Sequence, residues 1–295
     1  MPPRLLIVCP TRGRPELLAR MLGSFDATRS PGTDIVIVAG EDDPRLDDYL
    51  PLLRGRRAVV GPRRFLVQTF NDCTTKLFPG TPYYGEVNDD HFYRTRGWDK
   101  TFIDMINDRG NGWGIACGND MIQTNWHAFS HPSACVISGN IIRTLGHFVW
   151  PKLLHLFTDV YLRDLSRGIG RLFYTPEVVI EHRHWVNGRV KFEGDENYKW
   201  IYSQEQQKAA YATHQKWLQK DKDREIGLLR TAMEREGVPF LPVSEKAYER
   251  PPDFLRRYDY VCTKLCAYRG RLYKEGDSLK TAASDVPHHF ERKEG

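Results

Sequence analysis

Four consecutive polar residues, Asn88-Asp89-Asp90-His91, have the side chains best suited to metal chemistry. They follow residues 83–87, a short run that we interpret as a strand. Neighbouring carboxylates supply hard oxygen ligands, which Mg²⁺ and Mn²⁺ prefer, and either ion can hold a diphosphate. An acidic surface turn would have a similar sequence, so the motif by itself leaves both interpretations open.

Two more polar loops follow predicted strands. The apolar run at residues 5–9 leads into a basic loop around Arg12, and the run at residues 34–39 leads into the acidic loop Glu41-Asp42-Asp43. Apolar residues at helical spacing between positions 17 and 25 predict a helix between these strands. Strands joined in this way are parallel, and ligands of open α/β sheets bind at their carboxyl ends. We therefore expect the three loops to line one nucleotide-binding crevice.

The elements that position these loops alternate along the first 237 residues. Further strands are predicted at residues 58–60, 83–87, 114–117, 134–138 and 177–182, and helices at residues 65–77, 153–166 and 203–236. This pattern predicts an α/β fold with a mostly parallel twisted sheet and helices on both faces. A proline-rich linker is expected at residues 238–257, followed by a small β-rich module at residues 258–295.

The composition is that of a folded protein. Of the 295 residues, 40% are hydrophobic and 27% are charged, and 43 Lys and Arg against 38 Asp and Glu give a net charge of +5. This small excess agrees with a phosphate-bearing ligand without identifying one. No apolar run approaches the roughly 18 residues of a membrane span, so we expect a cytoplasmic protein.

Three segments carry a resemblance to a known family: LLIVCPTRGRPELLARMLGSF at residues 5–25, VAGEDD at residues 38–43, and the motif at residues 88–91. Together they resemble the family 2-like glycosyltransferases of the GT-A fold, which have a Rossmann-like sheet. The resemblance implies a nucleoside diphosphate sugar donor, with UDP as the expected nucleotide, and a Mn²⁺ or Mg²⁺ cofactor. It implies nucleotide contacts from Pro10, Thr11, Arg12, Glu41, Asp42, Arg63, Arg64, Asn71 and Asp89.

The resemblance also implies a metal site. The acidic triplet can be aligned as Asn88-Asp89-Asp90 or as Asp89-Asp90-His91, and both alignments contain Asp90. Asp90 is therefore the expected metal ligand, with His91 as a further candidate. In GT-A enzymes a histidine after a late strand completes the metal shell. His182 and His184 share one face of the strand end here, and His182 is the expected ligand. A polar strand end without a metal is the other interpretation of His182.

The stretch FTDVYLRDL at residues 157–165 resembles the family segment that carries the catalytic base of inverting members. Asp159 has the position of that base, and Thr158 replaces the usual preceding carboxylate. A helix carboxylate that faces solvent is the alternative. Direct displacement with Asp159 as base implies inversion, which we favour over retention. Trp150, upstream of Asp159, is expected to offer an aromatic surface to the acceptor.

The predicted function is transfer of a sugar from a nucleoside diphosphate sugar to a hydroxyl acceptor. The tail ASDVPHHFERK resembles C-terminal modules of bacteriophage proteins. This resemblance implies a phage-encoded enzyme in the host cytoplasm, with a hydroxymethylated pyrimidine in phage DNA as the acceptor. Two alternatives stay open: a nucleotidyltransferase that acts on a sugar phosphate, and a non-catalytic module that binds nucleotide sugars.

Overall fold

The computed structural model describes residues 3–123, 131–183 and 196–240, and the backbone of five strands between residues 257 and 292. The chain divides into two compact units. The first contains Met1–Ile122 and Ser130–Ser244, and the second contains Gln123–Phe129 and Glu245–Gly295.

The first unit is built on a mixed sheet of eight strands: β1 (Leu5–Thr11), β2 (Thr33–Gly40), β3 (Arg57–Gly61), β4 (Tyr83–Glu86), β5 (His91–Tyr93), β6 (Ile115–Asn119), β7 (Val136–Ser138) and β8 (Leu172–His182). Their order is β3-β2-β1-β4-β7-β6-β8-β5. β1 runs parallel to β2 and β4, β2 to β3, and β6 to β8, whereas β7 is antiparallel to both its neighbours and β5 to β8. The predicted parallel unit of β1 and β2 is therefore confirmed.

Nine helices accompany the sheet in the described part of this unit: α1 (Pro15–Thr28), α2 (Leu46–Leu53), α3 (Leu66–Asp72), α4 (Trp98–Gly110), α5 (Gly139–Leu145), α6 (Thr158–Gly168), α7 (Glu196–Ile201), α8 (Gln204–Lys220) and α9 (Lys222–Arg235). A π-helical turn, Cys73–Leu77, continues α3. Helix α1 begins at Pro15, which needs no amide partner in the first turn. The sequence analysis did not predict α2, α4 and α5, although α4 buries Trp98, Phe102 and Ile106 at helical spacing.

An aromatic cluster fills the core between α1, α4 and β5. The ring centroids of Tyr93 and Trp98 lie 4.6 Å apart, and those of Phe25 and Tyr93 lie 5.4 Å apart. All three side chains are buried. Burying a side chain of this size contributes about 1.5–3 kcal/mol, so the cluster anchors α1 and α4 against the sheet.

Two predicted helices differ from the observed ones. The helix expected from residue 153 begins at Thr158, because Phe157 has φ 69° in the left-handed region, which a right-handed helix cannot contain. The helix expected over residues 203–236 is two helices, α8 and α9, that meet at Asp221. No helix in the described part of the chain combines the length and the apolar content needed to cross a membrane.

The second unit contains short antiparallel sheets. Its strands are β9 (Arg257–Cys262), β10 (Cys266–Tyr268), β11 (Arg271–Tyr273), β12 (Ser278–Ala282) and β13 (Phe290–Arg292). β10 pairs with β11, and β9 lies between β12 and β13. The prediction of a β-rich C-terminal appendage is thus confirmed. The linker predicted at residues 238–257 falls mostly outside the described residues, so its boundaries stay predictions.

Candidate functional site

A cleft opens at the carboxyl ends of β1, β2 and β4, where the sequence predicted one. It contains about 1060 Å³ of empty space, counting the part open to solvent. Its lining includes Pro10, Thr11, Arg12, Arg14, Gly40, Arg63, Arg64, Phe65, Asn88, Asp90, His155, His182, Ile201 and Tyr202. The structure therefore brings the basic loop after β1 and the motif after β4 to one cavity, because parallel strands end at the same sheet edge.

Asp89 holds the basic loop in place. Its Oδ2 accepts a hydrogen bond of 2.8 Å from Thr11 Oγ1, and its Oδ1 lies 2.8 Å from Nη2 of Arg14. Asp89 is only 1% exposed and does not line the cleft. A buried carboxylate needs such partners to offset its lost hydration. The structure thus places this predicted nucleotide contact underneath the loop that lines the cleft.

Arg12 and Asp42 form a two-point ion pair at the rim. Nη1 of Arg12 donates to Oδ1 of Asp42 over 2.8 Å, and Nη2 donates to Oδ2 over 3.2 Å. The hydrogen bond from Arg12 lowers the pKa of Asp42. Arg12 lines the cleft, whereas Asp42 and its neighbour Glu41 are exposed and lie outside the lining. The pair presents an ionised carboxylate beside the cleft, where it can accept a hydrogen bond from a base or a ribose.

Two further arginines face the cleft from the loop before α3. Both Arg63 and Arg64 line it, and Nε of Arg64 lies 3.4 Å from Oδ2 of Asp72. With Arg12 and Arg14 they give the described lining four guanidinium groups. Planar guanidinium groups match phosphate oxygens in geometry and charge, so this cleft is suited to a diphosphate.

Asn71 has a different position from the arginines. Its Oδ1 accepts hydrogen bonds from the backbone N–H groups of Phe148 and Val149, at 2.8 and 3.0 Å, and its Nδ2 donates to the Val149 carbonyl over 2.8 Å. The residue does not line the cleft. Asn71 therefore fixes the backbone at residues 148–149, in the segment that leads towards His155.

The cleft floor brings together the three predicted metal ligands, whose ligand atoms all lie within 4.8 Å of one another. Oδ2 of Asp90 lies 3.4 Å from Nε2 of His182, and Oδ1 lies 3.3 Å from Nδ1 of His91. The two imidazole rings stack with centroids 4.2 Å apart. β5 and β8 cause this contact, because their antiparallel register sets His91 directly opposite His182.

The three residues differ in how far their side chains are exposed to the cleft. Asp90 and His182 line the cleft, whereas His91 is 3% exposed and lies behind them, with Nε2 3.1 Å from Ser133 Oγ. Burial opposes ionisation of Asp90, but the neighbouring His182 and His91 outweigh it and hold the pKa of Asp90 well below its ordinary value. Burial likewise opposes protonation of His182, yet Asp90 raises the pKa of that imidazole.

These residues fit a divalent cation. Oδ1 of Asp90 is buried and makes no hydrogen bond of good geometry to any residue that the structure describes. A buried carboxylate oxygen in this state is costly unless a cation or proton reaches it. One carboxylate and two imidazoles form a donor set that suits Mn²⁺ better than Mg²⁺, which prefers oxygen ligands.

Glu86, at the end of β4, is a titratable group near this centre. Its Oε1 accepts a hydrogen bond from the backbone N–H of Cys135 over 3.3 Å. Burial, assisted by the charge of Asp159, raises the pKa of Glu86 to about 7. The sequence analysis did not identify Glu86, because a carboxylate inside a short strand has no motif of its own.

The sequence analysis also missed His155. Its side chain lines the cleft and a smaller cavity behind it that Trp200 and Ala209 help to line. Burial, assisted by the charge of Arg14, lowers the pKa of His155 to about 4. His155 lies within the helix that was predicted from residue 153, so its position in the sequence did not indicate a residue of the cleft. Only the loop conformation before α6 directs it to the cleft.

Asp159 lies in a second cavity, which we call the Tyr211 groove. Its lining is Leu156, Phe157, Asp159, Val160, Tyr202, Gln207, Lys208 and Tyr211. Tyr202 lines both this groove and the cleft, so the two cavities adjoin. The expectation for Trp150 was wrong: the side chain is 4% exposed, and a buried ring cannot offer its face to an acceptor.

No protein-family model and no curated protein sequence matches this chain. Among solved structures, the mannosyltransferase PcManGT from Pyrobaculum calidifontis in complex with GDP-Man and Mn²⁺ is 12% identical, with a TM-score of 0.49 over 82% of this chain and 78% of that chain. S. aureus TarS 1-349 in complex with UDP is 9% identical, with a TM-score of 0.49 over 96% of this chain and 99% of that chain. The same TarS fragment with UDP-GlcNAc has a TM-score of 0.48 at 9% identity, over 95% and 99% of the two chains.

At such identities a likeness concerns the fold alone. The sequence analysis expected a mostly parallel sheet, and four of the seven strand pairings in this sheet are parallel. The parallel strands from β3 to β4 and the cleft at their carboxyl ends are as expected. The predicted α/β fold, with its cleft at the carboxyl ends of parallel strands, is therefore confirmed.

Proposed function

We propose that this protein is a glycosyltransferase that moves a sugar from a nucleoside diphosphate sugar to a hydroxyl acceptor. One observation carries the proposal: four arginines and the pair of Asp90 and His182 line the same cleft. The arginines provide positive charge for phosphate oxygens, and the pair provides ligands for a divalent ion. A nucleoside diphosphate sugar needs both, because its leaving group is a diphosphate.

Asp90 and His182 are the residues that would hold the metal, with His91 packed against His182. A bound Mn²⁺ or Mg²⁺ supplies neutralisation of charge on the diphosphate leaving group. Arg12, Arg14, Arg63 and Arg64 assist by binding the same oxygens. At the rim, Asp42 would accept a hydrogen bond from the nucleoside, which we propose to be uridine.

In the proposed reaction, the acceptor hydroxyl oxygen attacks the anomeric carbon of the donor sugar. A carbon–oxygen bond forms on one side as the bond to the diphosphate breaks on the other, and the diphosphate leaves with the electron pair. Asp159 takes the hydroxyl proton. Attack opposite the leaving group inverts the anomeric configuration. The cleft and the Tyr211 groove adjoin, which supports a donor bound in the cleft and an acceptor bound beside Asp159 in the groove.

The proposal is tested by thermal unfolding with a panel of UDP and GDP sugars in the presence of Mn²⁺. A ligand at one hundred times its dissociation constant stabilises a protein by about 2.7 kcal/mol, which is a readily measured shift. Stabilisation by at least one nucleotide sugar, dependent on Mn²⁺, is the expected result. Absence of stabilisation by every member of the panel contradicts the proposal.

A second experiment separates the reaction classes. The protein is incubated with nucleotide sugars or with nucleoside triphosphates and sugar phosphates, and the products are followed. Release of a nucleoside diphosphate is expected, whereas pyrophosphate release identifies a nucleotidyltransferase. Binding without consumption of either substrate set identifies a non-catalytic module. The phage origin, the host-cytoplasmic location and the hydroxymethylated pyrimidine acceptor stay predictions from the sequence, and the acceptor class is tested below.

A further inference from the structure

The Tyr211 groove has about 900 Å³ of empty space, counting the part open to solvent. Its walls come from the loop before α6, the first turn of α6 and one face of α8. Tyr202 connects it with the cleft. A molecule in the groove would therefore lie beside a donor in the cleft, within the same unit of the protein.

Aromatic and aliphatic side chains form most of the groove wall. Tyr211 is 55% exposed and Tyr202 is 36% exposed, so both rings offer surface to a ligand. The Phe157 ring lies against Tyr211, with centroids 6.1 Å apart, and stacks on His214 at 5.2 Å. The contact with Phe157 holds the Tyr211 ring in place on α8, which stacking on a ligand requires.

Polar groups occupy defined points on this apolar wall. Asp159 provides a carboxylate, Gln207 an amide and Lys208 an ammonium group. Together they can accept and donate hydrogen bonds, and an apolar pocket with a few placed polar groups is the usual form of a small-molecule site. A sugar ring has the complementary surface, since its C–H face is apolar and its hydroxyl groups lie around the edge.

The backbone at Phe157 gives independent support. Its φ of 69° places a bulky residue in the left-handed region, a strained conformation that persists where the surroundings enforce it. Phe157 is the residue before α6, and its carbonyl accepts the N–H of Tyr161. The strained residue thus sets where α6 begins and holds Asp159 at the groove.

The charge of the groove distinguishes between acceptor classes. Among its described lining residues, Lys208 is the only cation, and Asp159 balances it. DNA binding draws most of its affinity from several Lys and Arg contacts to phosphates. A wall with no net charge favours an uncharged ligand over the DNA acceptor that the sequence suggested.

From these observations we infer that the Tyr211 groove is the acceptor site and that it takes a sugar residue of an uncharged glycoside, stacked on Tyr211 with a hydroxyl towards Asp159. This inference rests on the proposed function for its reaction, but the binding of a glycoside can be measured without turnover.

The test is saturation-transfer NMR with a panel of methyl glycosides (glucoside, galactoside, mannoside and N-acetylglucosaminide) in the presence and absence of UDP and Mn²⁺. We expect saturation of the sugar ring protons of at least one glycoside with the unmodified chain. In Tyr211→Ala the dissociation constant should rise at least fivefold, whereas Tyr211→Phe, which keeps the ring, should stay within twofold. Phe240→Ala removes an aromatic ring that is 46% exposed and lies outside the groove, so it is the matched control.

Three results overturn the inference. Either no glycoside of the panel binds, or Tyr211→Ala binds glycosides as tightly as the unmodified chain does. The third is that an oligonucleotide with hydroxymethylcytosine binds the unmodified chain and loses this binding in Tyr211→Ala. Thermal shifts with nucleotide sugars are recorded on the same samples. If nucleotide sugars bind and glycosides do not, the acceptor class is wrong and the proposed function stands. If glycosides bind and no nucleotide sugar does, the proposed function fails and the groove remains a sugar site.

Discussion

Oδ2 of Asp90 and Nε2 of His182 lie 3.4 Å apart on the cleft floor, although 92 positions separate the two residues in the sequence. The pairing of β5 with β8 produces this contact, because it sets the residue after Asp90 opposite His182. A carboxylate and an imidazole at this distance form an ion pair when the imidazole is protonated, and a divalent cation can take the place of that proton.

Replacing Asp90 by alanine should weaken Mn²⁺ binding at least tenfold, since it removes the charged oxygen ligand. Electron paramagnetic resonance of free Mn²⁺ measures this directly, without a substrate. Asp104→Ala is the control, because Asp104 pairs with Lys100 on α4 and does not line the cleft. Equal Mn²⁺ affinity of the two variants would remove the metal assignment.

Asp159→Asn should lower the turnover number by about 100-fold or more, the usual contribution of a general base, with donor affinity unchanged. Asp164→Asn provides a control on the same helix, where the Asp164 carboxylate pairs with Arg163. A rate within tenfold of the unmodified enzyme rejects Asp159 as the base. NMR of the anomeric configuration in donor and product tests inversion separately.

Asn71→Ala should destabilise the protein by about 2–3 kcal/mol, because three hydrogen bonds to backbone groups are lost and the buried partners stay unpaired. Urea unfolding without ligand gives the value. Gln68→Ala, an exposed position on the same helix, should have little effect. If Asn71→Ala keeps full stability but binds nucleotide more weakly, Asn71 contacts the nucleotide directly, as the sequence analysis expected.

Glu86→Gln should stabilise the protein at pH 8 relative to the unmodified chain. Burial raises the pKa of Glu86 from its ordinary 4.5 to about 7, so the folded state keeps a proton that the unfolded state releases. The unmodified protein therefore loses stability as the pH rises between these values, by up to about 3 kcal/mol at 1.36 kcal/mol per pH unit.

Urea unfolding of both proteins at pH 5, 6, 7 and 8, with a chelator present, follows this difference. The two curves should diverge up to pH 7 and then run parallel. A difference that is the same at every pH means that Glu86 ionises normally in the folded protein.

Much of the fold followed from local sequence. The apolar run after Arg4 and the helical spacing from Leu17 to Phe25 predict β1 and α1, because strand and helix periodicity are properties of neighbouring residues. The topological rule for parallel strands then predicts where the cleft opens. The meeting of the basic loop with Asn88 and Asp90 was predictable for the same reason.

Contacts between distant segments were decided by the tertiary structure. Asp89 and Asp90 are adjacent in the motif, yet the turn between β4 and β5 directs Asp89 under the Thr11 loop and Asp90 into the cleft. Asn71 and Tyr211 have no motif, and their positions depend on packing against residues more than fifty positions away. Periodicity reports only which face of its own element a residue occupies. What that face meets depends on how the elements pack, and this packing alone places Asp159 beside Tyr211 and His182 beside Asp90.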